Sequence, residues 1–287
     1  MCRRIRCWYF LICSTVACAS STVQRPGGRA PLPSTPNPVL SPSVAGPWTF
    51  NYAPGALSYQ ISRRATIESQ SDSGSHREIS TNATHELLTL EPAGDTIRFT
   101  AAVDTSSTTT QGTIGPAQSV ELPVQFSGFL IGDLLVISTD SVGRKCEPVS
   151  SVLLADLHNL IVRFPTKLLQ GSGWKDSVEL SACQGMIPTT ANITRSYTVS
   201  GETIYQGSPV VVVQRADTIQ AHGEGAQQQH HVLLDATGTG NTIYYISPQN
   251  GHILRLNTEQ NLDLAISASG KIQHFKQSSK QDFSLNR

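Results

Sequence analysis

The chain has 287 residues, of which 38% are hydrophobic, 15% charged and 6% aromatic, with 21 basic and 21 acidic side chains. A neutral chain without a basic cluster excludes nucleic acid as the partner, since phosphate binding needs a positive surface. The apolar fraction is enough to bury a sizeable core, and low charge with abundant Ser, Thr and Gln fits an extracytoplasmic β protein better than a cytosolic enzyme.

Residues 1–18 read as an export signal. Arg3, Arg4 and Arg6 form the positive end, and Trp8 to Val16 form an apolar stretch too short for a membrane span of about 20 residues. The signal ends in Thr15-Val16-Ala17-Cys18, which resembles a lipoprotein box with Cys18 as the lipidated residue. Thr15 stands where such boxes usually carry leucine, and the alternative is plain cleavage near Ala17-Cys18-Ala19 to release a soluble protein. Removing three arginines and no acid leaves 18 basic against 21 acidic residues, a net charge of −3. Residues 19–47 carry seven prolines among Gly, Ser and Thr. They form a semi-extended tether of on the order of 90 Å at about 3.1 Å per residue.

From residue 48 to 287 the pattern is that of a β-rich domain. Alternation over Leu57–Ser69, a turn at Asp72-Ser73-Gly74-Ser75, a return over Arg77–Leu90 and a further strand over Thr96–Thr105 make a meander. Ser106–Gln118 reads as a polar loop, and Val120–Phe126 and Leu134–Thr139 as strands. One amphipathic helix is expected near 148–163: Val149, Val152, Leu153, Leu157, Leu160 and Ile161 recur at three- and four-residue spacing, Pro148 suits the first helical position, and Pro165 ends the pattern. Strands then resume from Gly173 onward, with turns expected at Gly238–Asn241 and Gln249-Asn250-Gly251. The fold class is therefore mainly β: a curved antiparallel meander sheet, half-barrel-like, with one covering α-helix.

Of six cysteines, Cys2, Cys7 and Cys13 leave with the signal and Cys18 carries lipid, so Cys146 and Cys183 remain. In an oxidising compartment they are expected to pair, closing a loop of about 38 residues worth roughly 4 kcal/mol; the alternative is two buried thiols. No metal site, cofactor or catalytic constellation emerges. His222, His230, His231, His252 and His274 are scattered over the C-terminal strands, and neighbours such as His230 and His231 point to opposite faces. Ser172-Gly173-Trp174-Lys175 has Ser-x-x-Lys spacing, but its glycines disfavour a helix and its partner motifs are missing, so it reads as a turn before a strand. No Gly-x-Ser-x-Gly elbow or phosphate loop occurs.

The order of parts, from lipid-box cysteine and Pro-rich tether through a long meander and covering helix to a Tyr244-Tyr245-Ile246 strand before an Asn-Gly turn, resembles uncharacterised bacterial β-rich lipoproteins. More distantly it resembles the half-barrel lipoprotein carriers and receptors of the Lol type. That resemblance implies an apolar cleft between sheet and helix for acyl chains, with Leu153, Leu157, Leu160 and Ile161 on its helical side. Ala19 after Cys18 looks like the signature of an outer-membrane lipoprotein facing the periplasm. The expectation is an exported, non-enzymatic envelope protein anchored to the membrane at Cys18 that binds an apolar ligand or another lipoprotein. A structural or protein-interaction role in the envelope is the alternative.

Overall fold

The computed structural model describes residues 46–71, 74–111, 122–131, 134–138, 148–184, 187–227 and 230–286. The signal, Cys18, most of the tether and Cys146 lie outside these residues, and with Cys146 so does the expected Cys146–Cys183 bond. The described chain forms eleven strands and a single helix: β1 (Gly55–Ser71), β2 (Gly74–Ala93), β3 (Thr96–Gln111), β4 (Val124–Ile131), β5 (Leu134–Ile137), α1 (Pro148–Leu160), β6 (Gly173–Gln184), β7 (Ile187–Tyr205), β8 (Ser208–Gln227), β9 (His230–Ile246), β10 (Ile253–Ala268) and β11 (Lys271–Leu285).

All eleven strands make one antiparallel sheet, curved and unclosed, in the order β5-β4-β3-β2-β1-β11-β10-β9-β8-β7-β6. The topology is two meanders. The first walks outward from β1 to one edge at β5, and α1 then carries the chain to the opposite edge at β6. The second meander walks inward from there, and its last strand pairs with the first, Ile61 opposite Phe283. All the remaining pairings join strands that are consecutive in the chain, so only the β1–β11 seam demands a contact between the two ends of the domain. The helix packs on β3 and β4 on one side and on β6 on the other.

Inward and outward positions alternate, and the inward ones divide into zones. Along β8 the inward residues read Val211, Val213, Arg215, Asp217, Ile219 and Ala221. Along β1 they read Leu57, Tyr59, Ile61, Arg63, Ala65 and Ile67. The valines, Tyr59 and Ile61 join the main core with Phe99, Phe126, Leu130, Tyr197, Tyr244 and Phe283. A second, smaller apolar cluster lies further along the strands around Ile187, Val232, Leu234, Leu264 and Ile266.

The helix forms where the sequence placed it, and ends at Leu160. Its Val149, Leu153, Leu157 and Leu160 are at most 3% exposed. Burying each contributes roughly 2 kcal/mol. The Tyr52 hydroxyl closes the helix end by accepting from the Val162 amide at 2.6 Å. Burial, offset in part by the Val162 backbone, holds the Tyr52 phenol protonated well above its ordinary range.

Three segments differ from the sequence reading. Ser106–Gln111, expected in a loop, continues β3 because its hydroxyl-bearing residues pair with the equally polar end of β2; the Asn82 amide donates to Thr108 Oγ1 at 2.9 Å. Ser127–Ile131, expected as a connector, is strand, and the glycine in it is required: a Cβ at Gly128 would lie 2.0 Å from the Val136 carbonyl. Gly238–Asn241, expected to turn, lies within β9. There a Cβ at Gly238 would meet the Asn261 carbonyl at 2.2 Å and the Leu262 side chain at 2.5 Å, so the glycine serves close strand approach and not chain reversal.

Candidate functional site

Between the main core and the second cluster, the inward face carries charge. Three arginines from three strands meet acids and α1. Arg63 on β1 reaches Asp156 of α1, donates to Thr84 Oγ1 at 2.7 Å and approaches Glu86 at 3.4 Å. Arg195 on β7 grips Asp176 on β6 with two hydrogen bonds of 2.6 Å and donates to the His158 carbonyl of α1 at 2.9 Å. Arg215 on β8 donates to Asn159 Oδ1 of α1 at 3.0 Å, to Asp217 Oδ2 at 2.8 Å and to the Tyr244 hydroxyl. Each guanidinium also lies over an aromatic ring: Phe283, Tyr197 and Tyr244 respectively. Buried cations survive only when paired and hydrogen-bonded in this way.

The belt perturbs its titrating members. Burial, and next the neighbouring Asp156, push the Glu86 carboxyl well above the carboxylate range, and burial raises Asp156 against the pull of Arg63. The Arg63 site therefore holds two acids and one cation, and both carboxyls are pushed toward their protonated forms. Burial, with Arg195 adding to it, lowers His158 to about 4, so its imidazole is neutral at physiological pH. Burial and then Tyr244 raise the Tyr197 phenol, while the nearby arginines oppose the shift.

Beyond the belt the sheet and the polar side of α1 border a partly open cavity of about 190 Å³. Ala155, His158 and Asn159 of α1 cover it. Its floor is apolar, with Val178, Leu180, Ile193, Ile219, Leu234, Leu262 and Leu264, and its belt side is formed by Arg195, Arg215 and Asp217. Ala191, Ala221 and Ala236 pair across β7, β8 and β9 in one row between Leu180 and Leu264, and their short side chains leave the space. Three buried polar atoms of its lining residues lack a hydrogen-bond partner: Arg215 Nε, Asp217 Oδ1 and Gln281 Oε1. The first two lie 2.8 Å apart and balance in charge but are not aligned as a hydrogen bond. An unmet buried polar atom costs about 1–3 kcal/mol. An ion pair and an amide oxygen, none of whose three atoms is fully hydrogen-bonded, thus stand at one end of an apolar space.

The sequence-derived residues fall as follows. Leu153, Leu157, Leu160 and Ile161 are packed in the main core, and none lines the cavity; α1 turns its other side, Ala155, His158 and Asn159, toward it. Cys183 is on edge strand β6 opposite Pro188. The histidines do not converge. His222 meets Asp235 at 2.8 Å, His231 meets Glu224 at 2.7 Å, His230 meets Ser269 at 2.8 Å, and His252 meets the Ala53 carbonyl at 2.8 Å. Among the described residues no group of three or more His, Cys, Asp or Glu could hold a metal. Ser172 sits in the turn before β6, where its hydroxyl accepts from the Leu169 amide at 2.9 Å, and Trp174 stacks on Tyr197 at 4.6 Å. The sequence reading missed the arginine belt. Its signal was present in Val211-x-Val213-x-Arg215-x-Asp217-x-Ile219, where charges occupy the parity of buried valines.

No family model matches this chain, and no curated protein matches it. Among solved structures, a domain from Vibrio parahaemolyticus that its description assigns to outer membrane lipoprotein sorting is similar at 10% identity and a TM-score of 0.17. The similarity covers 80% of this chain and 83% of that one. At that level the function has to be argued from the geometry of the chain itself.

Proposed function

We propose that the domain is a binding module for an amphiphile, which lays a short apolar chain in the cavity and presents a polar end to Arg215, Asp217 and Gln281. The observation that carries this reading is the pairing of an alanine-made apolar space with unmet polar atoms at one end. Size limits the occupant. The roughly 150 Å³ cavities that admit benzene are smaller than this one, and drug-sized sites begin at about 300 Å³. One short acyl segment fits, and a multi-chain lipid anchor needs α1 to move. In this reading the protein works in the cell envelope, tethered through Cys18 and the 19–47 linker, with the domain held off the membrane surface.

Titration of the purified full chain with a fluorescent fatty acid tests it. Saturable one-to-one binding, weakened at least about tenfold by Ala191→Phe or Ala236→Phe, is expected, because each phenyl ring occupies the space. No binding, or binding indifferent to both fills, overturns it. A protein-interaction role is favoured by a different observation: Phe129, Ile131, Leu134 and Val136 are all exposed on the outer face of the β4–β5 edge hairpin. That reading predicts that Phe129→Ser with Leu134→Ser abolishes capture of an envelope partner while fatty-acid binding is unchanged.

A further inference from the structure

The outer face holds a second arrangement, away from the cavity, in one line across four neighbouring strand positions. Ser58 on β1 has its Oγ 2.7 Å from Nε2 of His85 on β2. His85 Nδ1 in turn lies 2.8 and 2.9 Å from the two carboxylate oxygens of Asp104 on β3. On the other side of the serine, the Asn286 side-chain amide donates to Ser58 Oγ at 3.1 Å, and its backbone amide holds it there by donating to the Ser58 carbonyl at 2.8 Å. One direction of proton donation satisfies every member. Asn286 donates to the serine oxygen, the serine hydroxyl to Nε2, and Nδ1–H to Asp104.

Asp104 is there because of a β-bulge. His85 pairs with Thr105 and Glu86 with Val103, so Asp104 is the extra residue of β3. Strict alternation after inward Val103 would turn Thr105 inward; instead Asp104 and Thr105 are both exposed on the outer face. A bulge re-aims a side chain in just this manner and is over-represented beside active sites. The imidazole is three-quarters buried, with 26% exposure, which limits competition from water for its hydrogen bonds. Leu87, directly opposite Ser58 on β2, is exposed beside the serine.

We propose that Ser58, His85, Asp104 and Asn286 form an acyl-transfer site for carboxylic esters with a small acyl group. Nucleophile, base and orienting acid are recognised by geometry and role whatever their order in the chain. Ser58 Oγ attacks the ester carbonyl carbon as its proton passes to His85 Nε2, and the Asn286 amide donates to the oxyanion. Collapse expels the alkoxide, which takes the proton from Nε2 and leaves as the alcohol, with the acyl group on Ser58. Water then attacks the acyl carbonyl carbon as its proton passes to Nε2; collapse breaks the bond to Ser58 Oγ, which takes that proton back, and the carboxylic acid leaves. Leu87 gives the acyl group an apolar neighbour, and the open face admits only substrates that need no deep pocket. Asp104 is the positioning residue, because it acts through the imidazole.

The test is labelling of the full chain with a fluorophosphonate, followed by hydrolysis of p-nitrophenyl acetate. The expected result is one phosphonyl group per chain, located on Ser58, with ester hydrolysis falling about 10²-fold in Ser58→Ala and His85→Ala. Asp104→Asn lowers kcat with KM unchanged, and Asp104→Glu restores part of it. Ser58→Cys keeps the fold and retains a nucleophile, so iodoacetamide should alkylate its thiol faster than in the Ser58→Cys, His85→Ala double variant. The proposal is overturned by label spread over several serines, by hydrolysis equal in wild type and Ser58→Ala, or by alkylation independent of His85.

Discussion

Two stretches of the same concave face, built by the same strands, have opposite outcomes. Under Leu153 and Leu157 of α1 the inward positions are Tyr, Phe, Leu and Val, and they pack into one buried core. A few residues further along, beyond Arg63, Arg195 and Arg215, the inward positions include the row Ala191, Ala221 and Ala236 flanked by Leu180 and Leu264, and a cavity remains. Hydrophobicity is similar in both zones. Side-chain volume decides which becomes core, and the charged belt keeps the two from collapsing into one.

The comparison can be broken most severely at the belt. Asp217→Ala leaves Arg215 buried with its main charge partner gone, and a loss of about 3–5 kcal/mol in folding stability is expected by urea denaturation. A loss under 1 kcal/mol would show that water already reaches the guanidinium. Next comes the core: Leu157→Ala should cost about 2–5 kcal/mol, because the well-packed site cannot collapse around the void.

The acid-side stability slope is smaller. His158 is held near 4 when folded and titrates near 6.5 when unfolded, so the unfolded chain binds the extra proton first. Its contribution is complete above pH 6.5 and is lost as pH falls toward 4, on the order of 2 kcal/mol once partial solvent access is allowed for. Melting curves of His158→Gln between pH 7 and 4 should lack that slope. Glu86 has the opposite sign. Its raised carboxyl stabilises the fold below the ordinary glutamate range and loses that contribution as pH rises, so Glu86→Gln should flatten the loss of stability that sets in above that range.

The smallest stability change is expected at the cavity. Ala191→Leu adds volume to existing space, so stability should move by less than about 1.5 kcal/mol while fatty-acid affinity falls. If stability instead drops as far as in Leu157→Ala, the space is not available to a ligand and the contrast between the zones fails.

Much of this fold was legible in local pattern. The period-two alternation of Leu57, Tyr59 and Ile61, the helix between Pro148 and Pro165, and the turn at Asn250-Gly251 follow from residues that are neighbours in the chain. Backbone sterics and side-chain parity act over a few residues, and a sequence displays them directly. The cavity residues were not legible in the same way. Leu153, Leu157 and Leu160 share the obvious apolar face of α1, and Ile161 follows it, yet that face meets the core, while the less apolar Ala155, His158 and Asn159 look onto the open space.

Only the tertiary structure could decide that, because it depends on what lies opposite. The β1–β11 seam joins residues more than 200 positions apart, and the belt draws Arg63, Arg195 and Arg215 to one helix from distant strands. The outer-face line of Asp104, His85, Ser58 and Asn286 likewise requires a bulge in β3 and a strand end beside β1. Parity settles which way a side chain points, whereas register and curvature, set by the whole sheet, settle what it meets.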